Sequence, residues 1–390
     1  MSQDSSFWLV AASILSLLLG VASVPFLSRY FSGEELGLYQ EFLSYGLIFG
    51  PLACLRYETS IVSEEGAGFF YEAYAGAAFV MAVLCGLLIL LLPVGFFFEL
   101  PSWVASFPIF IFSYGLMILA SAIALREKKF RSLGIYKVIY FSIYMVAPIG
   151  FRIGFDESSY MWLIWFMILG QLCFVFLLPR SRVISIKLAT DFIRNNQSFF
   201  ITLTPLTLLS GLTVQLPVLF MSLHFDYRYL GAYLIASRFL NLPISLVATP
   251  AGQYFQSVYL NSGRLHLRKM LLACLMAVFL LYGAILLLSV LDLSRYFGAE
   301  WRLIQEIVWF LSIAKILQAI NLPLANMLAL IKTRRVGLGI VILFLPVRWV
   351  LMGLLGPGWE EFLIGTLVGT ALFYITYSYF SYRFTIAEVK

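Results

Sequence analysis

The stretch PFLSRYFSGEELGLYQEFLSYGLIFGPLACLRYE, residues 25–58, decides how the rest of this chain is interpreted. It joins the end of one apolar segment to the next through a short charged loop. A weaker copy, PVLFMSLHFDYRYLGAYLIASRFLNLP, occupies residues 217–243. Both copies carry Leu-Gly-x-Tyr directly after the charged loop, with the glycine at Gly37 and at Gly231. A recurrence at nearly half the chain length predicts two related halves.

A second internal match supports the duplication. The segment ALREKKFRSLGI at residues 124–135 resembles ALIKTRRVGLGI at residues 329–340, without a gap. The alternative is that any two basic loops look alike, but Leu-Gly-Ile closes both. Each match pairs one apolar segment with the sixth after it. Because six is even, the halves would have the same orientation, related by an axis along the membrane normal.

The composition is that of a membrane protein. Hydrophobic residues make up 62% of the chain and charged residues 12%, with a mean hydropathy of +0.93. Apolar runs long enough to cross a bilayer recur along the whole length, so we predict an all-α, polytopic membrane protein. The net charge of +6 does not indicate a nucleic-acid partner, because most charges lie in short loops on alternate sides.

We predict twelve spans, arranged as two six-helix bundles. The longest polar stretch, residues 179–197, has a mixed apolar and basic pattern that favours a helix on the membrane surface. We therefore expect an N-terminal bundle over 1–180, an amphipathic cytoplasmic linker over 181–198 and a C-terminal bundle over 199–390. The predicted spans are 7–30, 36–62, 69–97, 103–125, 133–154, 160–179, 199–223, 229–256, 269–291, 302–331, 336–355 and 359–381.

The basic residues predict the orientation. One set of alternating loops, together with the C-terminus, holds most of the lysines and arginines of the loops. The opposite set holds Arg29, Arg228, Arg295 and Arg302. Since cytoplasmic loops carry the excess of Lys and Arg, we expect both termini in the cytoplasm.

Charged side chains inside the spans are the strongest functional signal. Lys315 and Arg348 fall near the predicted mid-membrane plane and Arg238 in the outer half. Each such cation costs about 2.5–3.5 kcal/mol on insertion scales, which favours burial around a watery cavity or an anionic ligand. The alternative is that each snorkels or pairs with an acid from another helix. Arg56 lies near the cytoplasmic end of its span, where snorkelling is an equally good interpretation.

The first and seventh spans would be equivalent in the two halves, and each has a stripe of small or polar residues. We expect Ser16 and Ser23 in the first, and Thr207 and Ser210 in the seventh, to line a hydrated path. Close helix packing uses the same residue types and remains the alternative.

The sequence contains no motif for ATP use, covalent catalysis or metal-dependent hydrolysis. Two histidines, neither in a ligand-like cluster, do not predict a metal site. We expect no cofactor and no enzymatic activity.

Two segments resemble polysaccharide flippases of the Wzx type. Residues 28–62 resemble that family's first loop and second helix: an Arg, a short acid-containing loop, a Gly-Leu-Tyr and an Arg-Tyr-Glu. The segment LGAYLIASRFLNLPISLVATPAGQYF, residues 230–255, resembles its eighth helix, with Arg238 and Pro243 in the expected places. On this resemblance Arg56 and Arg238 match the arginines of helices two and eight. Lys315 and Arg348 have no matching motif, so their case is physical.

The resemblance implies transport of undecaprenyl-pyrophosphate-linked oligosaccharide across the bacterial inner membrane by alternating access, coupled to an ion gradient. It places the chain in the multidrug/oligosaccharidyl-lipid/polysaccharide exporter superfamily and in O-antigen or capsule synthesis for lipopolysaccharide and related polymers. Arg56, Arg238, Lys315 and Arg348 would then bind the anionic substrate. The expected partners are the lipid-linked oligosaccharide, membrane lipid, and a polysaccharide polymerase with its chain-length machinery, with the chain itself a monomer.

Three other functions compete with this one. A drug or organic-cation antiporter of the same superfamily would favour buried carboxylates, and the first and seventh spans contain none. A lipid II flippase shares the anionic substrate, but further C-terminal helices would favour it. A membrane-embedded polysaccharide polymerase or ligase would place catalytic groups in a large external loop, which this chain lacks.

Overall fold

A computed structural model shows an α-helical chain, with no β-strand among the residues that it describes. The described residues are 3–63, 67–97, 101–155, 159–178, 185–249, 251, 264–291, 301–330, 334–354 and 358–388.

The first half contains ten α-helices and three 3₁₀ segments within the described ranges. The 3₁₀ segments are Gly50–Leu52, Ser102–Ser106 and Cys173–Leu177. The α-helices are α1 (Gln3–Ala22), α2 (Val24–Tyr30), α3 (Gly33–Phe49), α4 (Glu58–Ser63), α5 (Ala67–Phe97), α6 (Phe107–Arg126), α7 (Phe130–Met145), α8 (Ala147–Phe155), α9 (Met161–Leu172) and α10 (Ile186–Asn195).

The second half is built from longer helices, with one π-helical segment at Ile244–Ala248. Its described α-helices are α11 (Gln197–His224), α12 (Tyr227–Leu240), α13 (Arg264–Val290), α14 (Trp301–Leu330), α15 (Arg334–Leu354) and α16 (Trp359–Glu388).

The helices confirm the predicted membrane architecture. Eight described segments are long and apolar enough to cross a bilayer, and 14–30 and 161–177 are shorter apolar helices. These ten follow the predicted spans in order, and their ends agree to within a few residues except at the start of span 7–30 and the end of span 302–331. The two remaining predicted spans, 36–62 and 229–256, are not continuous helices. The second of them also extends beyond the described residues.

Both discontinuities fall at the same register of the internal repeat. In the first copy, α3 ends at Phe49 and a 3₁₀ segment and a turn lead to α4. In the second copy, α12 ends at Leu240 and the chain continues as the π-helix Ile244–Ala248. Where Gly37 is aligned with Gly231, Gly50 corresponds to Ile244. Pro51 and Pro243 lie at these points, and a proline removes a backbone donor and interrupts the helix ladder.

The two copies begin alike. Ser32 and Glu35 form a capping box at the start of α3: the Glu35 amide donates to Ser32 Oγ (3.1 Å) and the Ser32 amide to Glu35 Oε2 (2.9 Å). At the equivalent position of the second copy, Asp226 caps α12 by accepting from the Arg228 amide at 2.9 Å. The charged loop is therefore a helix start in both copies.

The two Leu-Gly-x-Tyr glycines make a reciprocal contact. A Cβ atom on Gly37 would meet the carbonyl of Tyr227, the first residue of α12. A Cβ atom on Gly231 would meet the carbonyl of Gly33, the first residue of α3. Gly33 and Tyr227 are themselves equivalent in the repeat. This exchange is what a local twofold axis between the two copies produces, and it explains why each copy needs glycine there.

The chain forms two compact units. Unit 1 comprises Met1–Ser23 and Leu38–Gln215, and unit 2 comprises Val24–Gly37 and Leu216–Lys390. In unit 1, α1 packs along α7, and the buried face of α10 packs on α5. In unit 2, α16 packs against both α14 and α15. The units differ from the predicted division at 180 and 199, because Val24–Gly37 packs with the second half of the chain and unit 1 extends to Gln215. The predicted boundaries stay a prediction.

The predicted amphipathic segment does form a helix, α10. Its residues Ala189 and Phe192 are fully buried, whereas Ile186 is 67% exposed. The Phe192 ring lies edge-on to Tyr57 at 5.4 Å and occupies the space beside Gly76 of α5. Its position on the membrane surface stays a prediction.

Candidate functional site

Lys315 lies in the middle of the long helix α14 and is partly buried. Its Nζ donates a hydrogen bond to Asn241 Oδ1 at 3.1 Å. Asn241 directly follows α12, and its side chain is available to Lys315 because the α-helix ends there. No described carboxylate lies within ion-pair distance of Lys315. A neutral amide therefore takes the place of an acid beside this cation.

Arg348 of α15 is 3% exposed. Its Nη2 donates to Thr370 Oγ1 at 3.0 Å, and its Cζ lies 5.7 Å from the centre of the Phe373 ring. Both partners belong to α16. A hydroxyl and an aromatic face are thus two of the groups that orient this guanidinium.

A Gly-x-x-x-Gly spacing on α16 brings Arg348 close to that helix. A Cβ on Gly369 would lie 3.2 Å from Arg348 Cγ. A Cβ on Gly365 would meet the carbonyl of Leu351 and lie 3.0 Å from Met352 Cα. Small residues at this spacing let two membrane helices approach closely.

Lys315 and Arg348 are within electrostatic range of each other, as are Arg348, Tyr233 and Tyr374. We call these four residues, with Asn241, the cation cluster. Its members come from α12, its C-terminal end, α14, α15 and α16, all in unit 2. Two like charges share a buried region lined by hydroxyl and amide groups, so their repulsion adds to the cost of desolvating each one.

The carboxylates in the described part of unit 2 are remote from helix centres. They lie in loops, in the first two turns of a helix, or at its end, and one pairs with Arg302 at 3.7 Å on an exposed helix end. They are Glu34, Glu35, Asp226, Glu306, Glu360, Glu361 and Glu388.

Arg238 lies on the last turn of α12 and is partly buried. It precedes Asn241 by three residues, which places both on one side of the chain as it leaves the helix. One residue before Asn241, the Leu240 carbonyl accepts from the buried hydroxyl of Tyr282 at 2.7 Å. The end of α12 is thus a polar region in which this predicted arginine takes part.

Arg56 lies in unit 1, in the turn between the 3₁₀ segment and α4. Its backbone is left-handed, with φ 65°, and its Nη1 lies 3.4 Å from Glu58 Oε1. Arg56 is partly exposed and Glu58 is buried. This arginine therefore belongs to a local ion pair, unlike Lys315, whose described partner is a neutral amide.

The predicted path-lining residues have different environments. Ser16 and Ser23 are buried, and Ser23 Oγ donates to the Gly20 carbonyl at 2.8 Å. Ser16 lies on α1 and Ser23 directly follows that helix, and because α1 packs along α7, both side chains lie in a packed region in this conformation. On α11, Thr207 is partly buried and Ser210 is exposed. Whether any of the four lines a path stays a prediction.

The sequence reasoning missed the neutral members of the site. Asn241, Thr370 and Tyr374 carry no charge and lie in largely apolar segments, and Tyr233 was noted only as the last residue of the repeated Leu-Gly-x-Tyr, so composition gave no reason to select them for a site. A signal was available for one contact: the Gly-x-x-x-Gly spacing at Gly365 marks a close helix approach.

Solved structures with a similar fold were found at low sequence identity. The lipid II flippase MurJ in its inward closed conformation gives a TM-score of 0.75 at 14% identity, over 96% of this chain and 87% of that chain. An outward-facing multidrug resistance transporter of the MATE family in the MOP superfamily gives 0.65 at 13%, over 99% and 96%. A MOP superfamily transporter from Pyrococcus furiosus, noted for the reverse polarity of its binding pocket, gives 0.65 at 12%, over 98% and 96%. No protein-family model and no curated protein matches the chain.

These similarities establish the fold. The chain is a multi-pass membrane protein with the all-helical fold of transporters of the multidrug/oligosaccharidyl-lipid/polysaccharide exporter superfamily, abbreviated MOP. The similar structures named above are those of a flippase and of transporters.

Proposed function

We propose that this protein carries a pyrophosphate-linked lipid oligosaccharide from the cytoplasmic to the periplasmic leaflet of the bacterial inner membrane. The passenger is an undecaprenyl-pyrophosphate-linked repeat unit of O-antigen or a related polysaccharide. The protein acts as a monomer with both termini in the cytoplasm, and supplies a polysaccharide polymerase and its chain-length machinery. Alternating access, coupled to an ion gradient, moves the headgroup.

The cation cluster is the observation that carries this proposal. Lys315 has no described carboxylate partner, and Arg348 is oriented by a hydroxyl and an aromatic ring. Each intramembrane cation costs about 2.5–3.5 kcal/mol, a cost that a negatively charged passenger offsets. A pyrophosphate diester carries two negative charges and many acceptor oxygens, which match an ammonium and a guanidinium.

The similarity in fold to MurJ supports a lipid-linked passenger. MurJ is a lipid II flippase, a protein whose substrate is a lipid. In our proposal Arg238 contacts the headgroup beside the cation cluster, and Arg56 is a contact at the cytoplasmic end. The lipid tail stays in the bilayer while the sugars cross.

Lys315→Gln tests the proposal directly. Purified protein is placed in vesicles containing a fluorescent polyprenyl-pyrophosphate-linked monosaccharide, and a membrane-impermeant quencher reports the rate of leaflet exchange. Loss of a charge-assisted hydrogen bond to the passenger is worth about 1.5–3 kcal/mol, so we expect the rate to fall roughly tenfold to a hundredfold. Arg302→Gln is the matched control: it removes a cation from the same helix at a site where the side chain is 91% exposed.

Two results would contradict the proposal. Equal exchange rates for Lys315→Gln and Arg302→Gln would remove the anion-binding role of the cation cluster. Uptake of an organic cation, with no movement of the lipid-linked sugar, would instead identify a multidrug antiporter.

A further inference from the structure

A turn around Arg56 separates the 3₁₀ segment Gly50–Leu52 from α4. Leu55 and Arg56 have φ values of 46° and 65°, a left-handed conformation that non-glycine residues rarely adopt. Contacts from other helices hold it: Thr204 Oγ1 of α11 donates to the Leu55 carbonyl at 3.1 Å. The Tyr114 ring of α6 fills the space beside Gly50, where a Cβ would lie 2.9 Å from the ring. This left-handed turn places Arg56 Nη1 3.4 Å from Glu58 Oε1.

Glu58 is a buried carboxylate with little to stabilise its charge. The residue is 4% exposed, and apart from its own backbone amide no described group donates a hydrogen bond to its side-chain oxygens. Its one described ion pair, with Arg56 Nη1, spans 3.4 Å. A buried carboxylate with so few hydrogen-bond donors depends on its counter-charge, because desolvation favours the protonated form.

Besides Arg56, the groups described as interacting with the Glu58 carboxylate are neutral. Cys54, on the same segment, and Tyr114 of α6 both interact with the carboxylate, but their neutral forms supply no positive charge. Arg126 of α6 donates to the Ile61 carbonyl at 2.7 Å, at the end of α4.

The other elements near Glu58 present neutral or acidic residues at the described contacts. From α5, which packs on α4, the nearby buried face contributes the neutral Tyr74, and its charged residue Glu72 is acidic. From α10, the residue packed against Tyr57 is Phe192, and the cations of this helix, Lys187 and Arg194, are exposed.

Arg56 is accessible while Glu58 is not. The exposed fraction of the side chain is 32% for Arg56 and 5% for Glu58. An anion can therefore reach the guanidinium from its open side without entering the buried space around the carboxylate. Binding there competes with Glu58 for the same positive charge.

We propose that Glu58 is a proton-binding site linked to loading of the anionic passenger at Arg56. This inference rests on the proposed function. When a pyrophosphate oxygen takes Arg56 as its partner, the Glu58 carboxylate loses its counter-charge and binds one proton from the adjoining water, forming an O–H bond. On release of the passenger the proton returns to water and the ion pair re-forms. The bound proton cancels one of the negative charges that the passenger brings into the site.

Linkage fixes the sign of the pH effect. Because the loaded state holds one more proton than the empty state, the passenger binds more tightly as the pH falls. In the range where Glu58 is ionised in the empty protein and protonated in the loaded one, the dissociation constant changes by up to about tenfold per pH unit. A pyrophosphate diester has no proton to gain in mildly acidic or neutral solution, so the change reports the protein.

Proton uptake can be measured on the unaltered protein. Binding of the fluorescent polyprenyl-pyrophosphate-linked monosaccharide to full-length protein in detergent is followed calorimetrically, in buffers that differ in their heat of ionisation. We expect uptake of about one proton per passenger bound. If the probe binds with no proton uptake at any pH between about 5.5 and about 8.5, the inference is wrong and the proposed function stands. If the probe does not bind at all, both fail.

Glu58→Gln assigns the proton to this residue. The amide imitates the protonated acid, so we expect the variant to bind the probe with a constant that no longer depends on pH and with no proton uptake. Glu127→Gln is the matched control, since Glu127 also pairs with a cation, Lys129 at 2.7 Å, but on a partly exposed turn. Retention of the full pH dependence by Glu58→Gln would overturn the assignment. The calorimetric test on the unaltered protein applies even if this variant does not fold.

Discussion

The reciprocal glycine contact leads to the most specific prediction about stability. Gly231→Ala places a methyl group against the backbone of Gly33: the new Cβ would overlap the carbonyl oxygen and lie 3.0 Å from the carbonyl carbon and 3.1 Å from Cα. Backbone atoms cannot rotate away as a side chain does. The starts of α3 and α12 must therefore separate, and the helix caps at Ser32 and Asp226 move with them.

The size of the effect follows from a matched comparison. Overpacking of this kind costs about 1–3 kcal/mol. Alanine also stabilises a helix interior by roughly 0.5–1 kcal/mol relative to glycine. Gly283→Ala, in α13, is the control because nothing lies within 4 Å of its added Cβ. The gain in helix propensity is common to both variants, so their difference in unfolding free energy reports the contact alone.

The assay is thermal unfolding of the purified proteins in one detergent, followed by loss of the monodisperse species. We expect Gly231→Ala to unfold at a lower temperature than the natural protein, and Gly283→Ala at the same or a higher one. Gly37→Ala should resemble Gly231→Ala. The double variant should cost less than the sum of the two, because one separation of the helices relieves both overlaps. Equal melting of Gly231→Ala and Gly283→Ala would refute the reciprocal contact.

Two further predictions concern the helix cap and the surface helix. The hydrogen bond from the Arg228 amide, with the guanidinium beside it, holds the pKa of Asp226 below its ordinary 3.8. The contribution of Asp226 to stability is therefore complete above pH 3.8 and is lost as the pH falls through the lowered pKa. Asp226→Ala should cost about 0.5–2 kcal/mol of stability at neutral pH and remove this acid sensitivity, as measured by the melting temperature at a series of pH values. Phe192→Ala should destabilise the protein by about 3–5 kcal/mol, because it empties the buried space beside Tyr57, whereas Ile186→Ala, at an exposed site on the same helix, should melt in detergent like the natural protein.

The positions of the spans could be predicted from sequence because the bilayer acts on each segment separately. A run of about twenty apolar residues satisfies its own backbone as a helix, whatever the rest of the chain does. The predicted spans 69–97 and 359–381 correspond to α5 and α16 for this reason. The same rule misled at 36–62 and 229–256, where hydropathy is continuous but the helix is not.

The breaks in those two segments depend on distant residues. Pro51 and Pro243 gave a local reason for interruption, but not its form. The left-handed turn at Arg56 needs Thr204 of α11 to accommodate a freed carbonyl, and Tyr114 of α6 to fill the space beside the 3₁₀ segment. No window of sequence contains all of these groups.

The sequence by itself determined that this is a helical membrane protein with a repeated helix start and with cations Lys315 and Arg348 in its spans. Those properties depend on hydropathy and charge, which each segment carries alone. Only the tertiary structure decided what the cations face. Lys315 meets Asn241 and Arg348 meets Thr370 because separate helices pack side by side, and packing depends on the shapes of both surfaces at once.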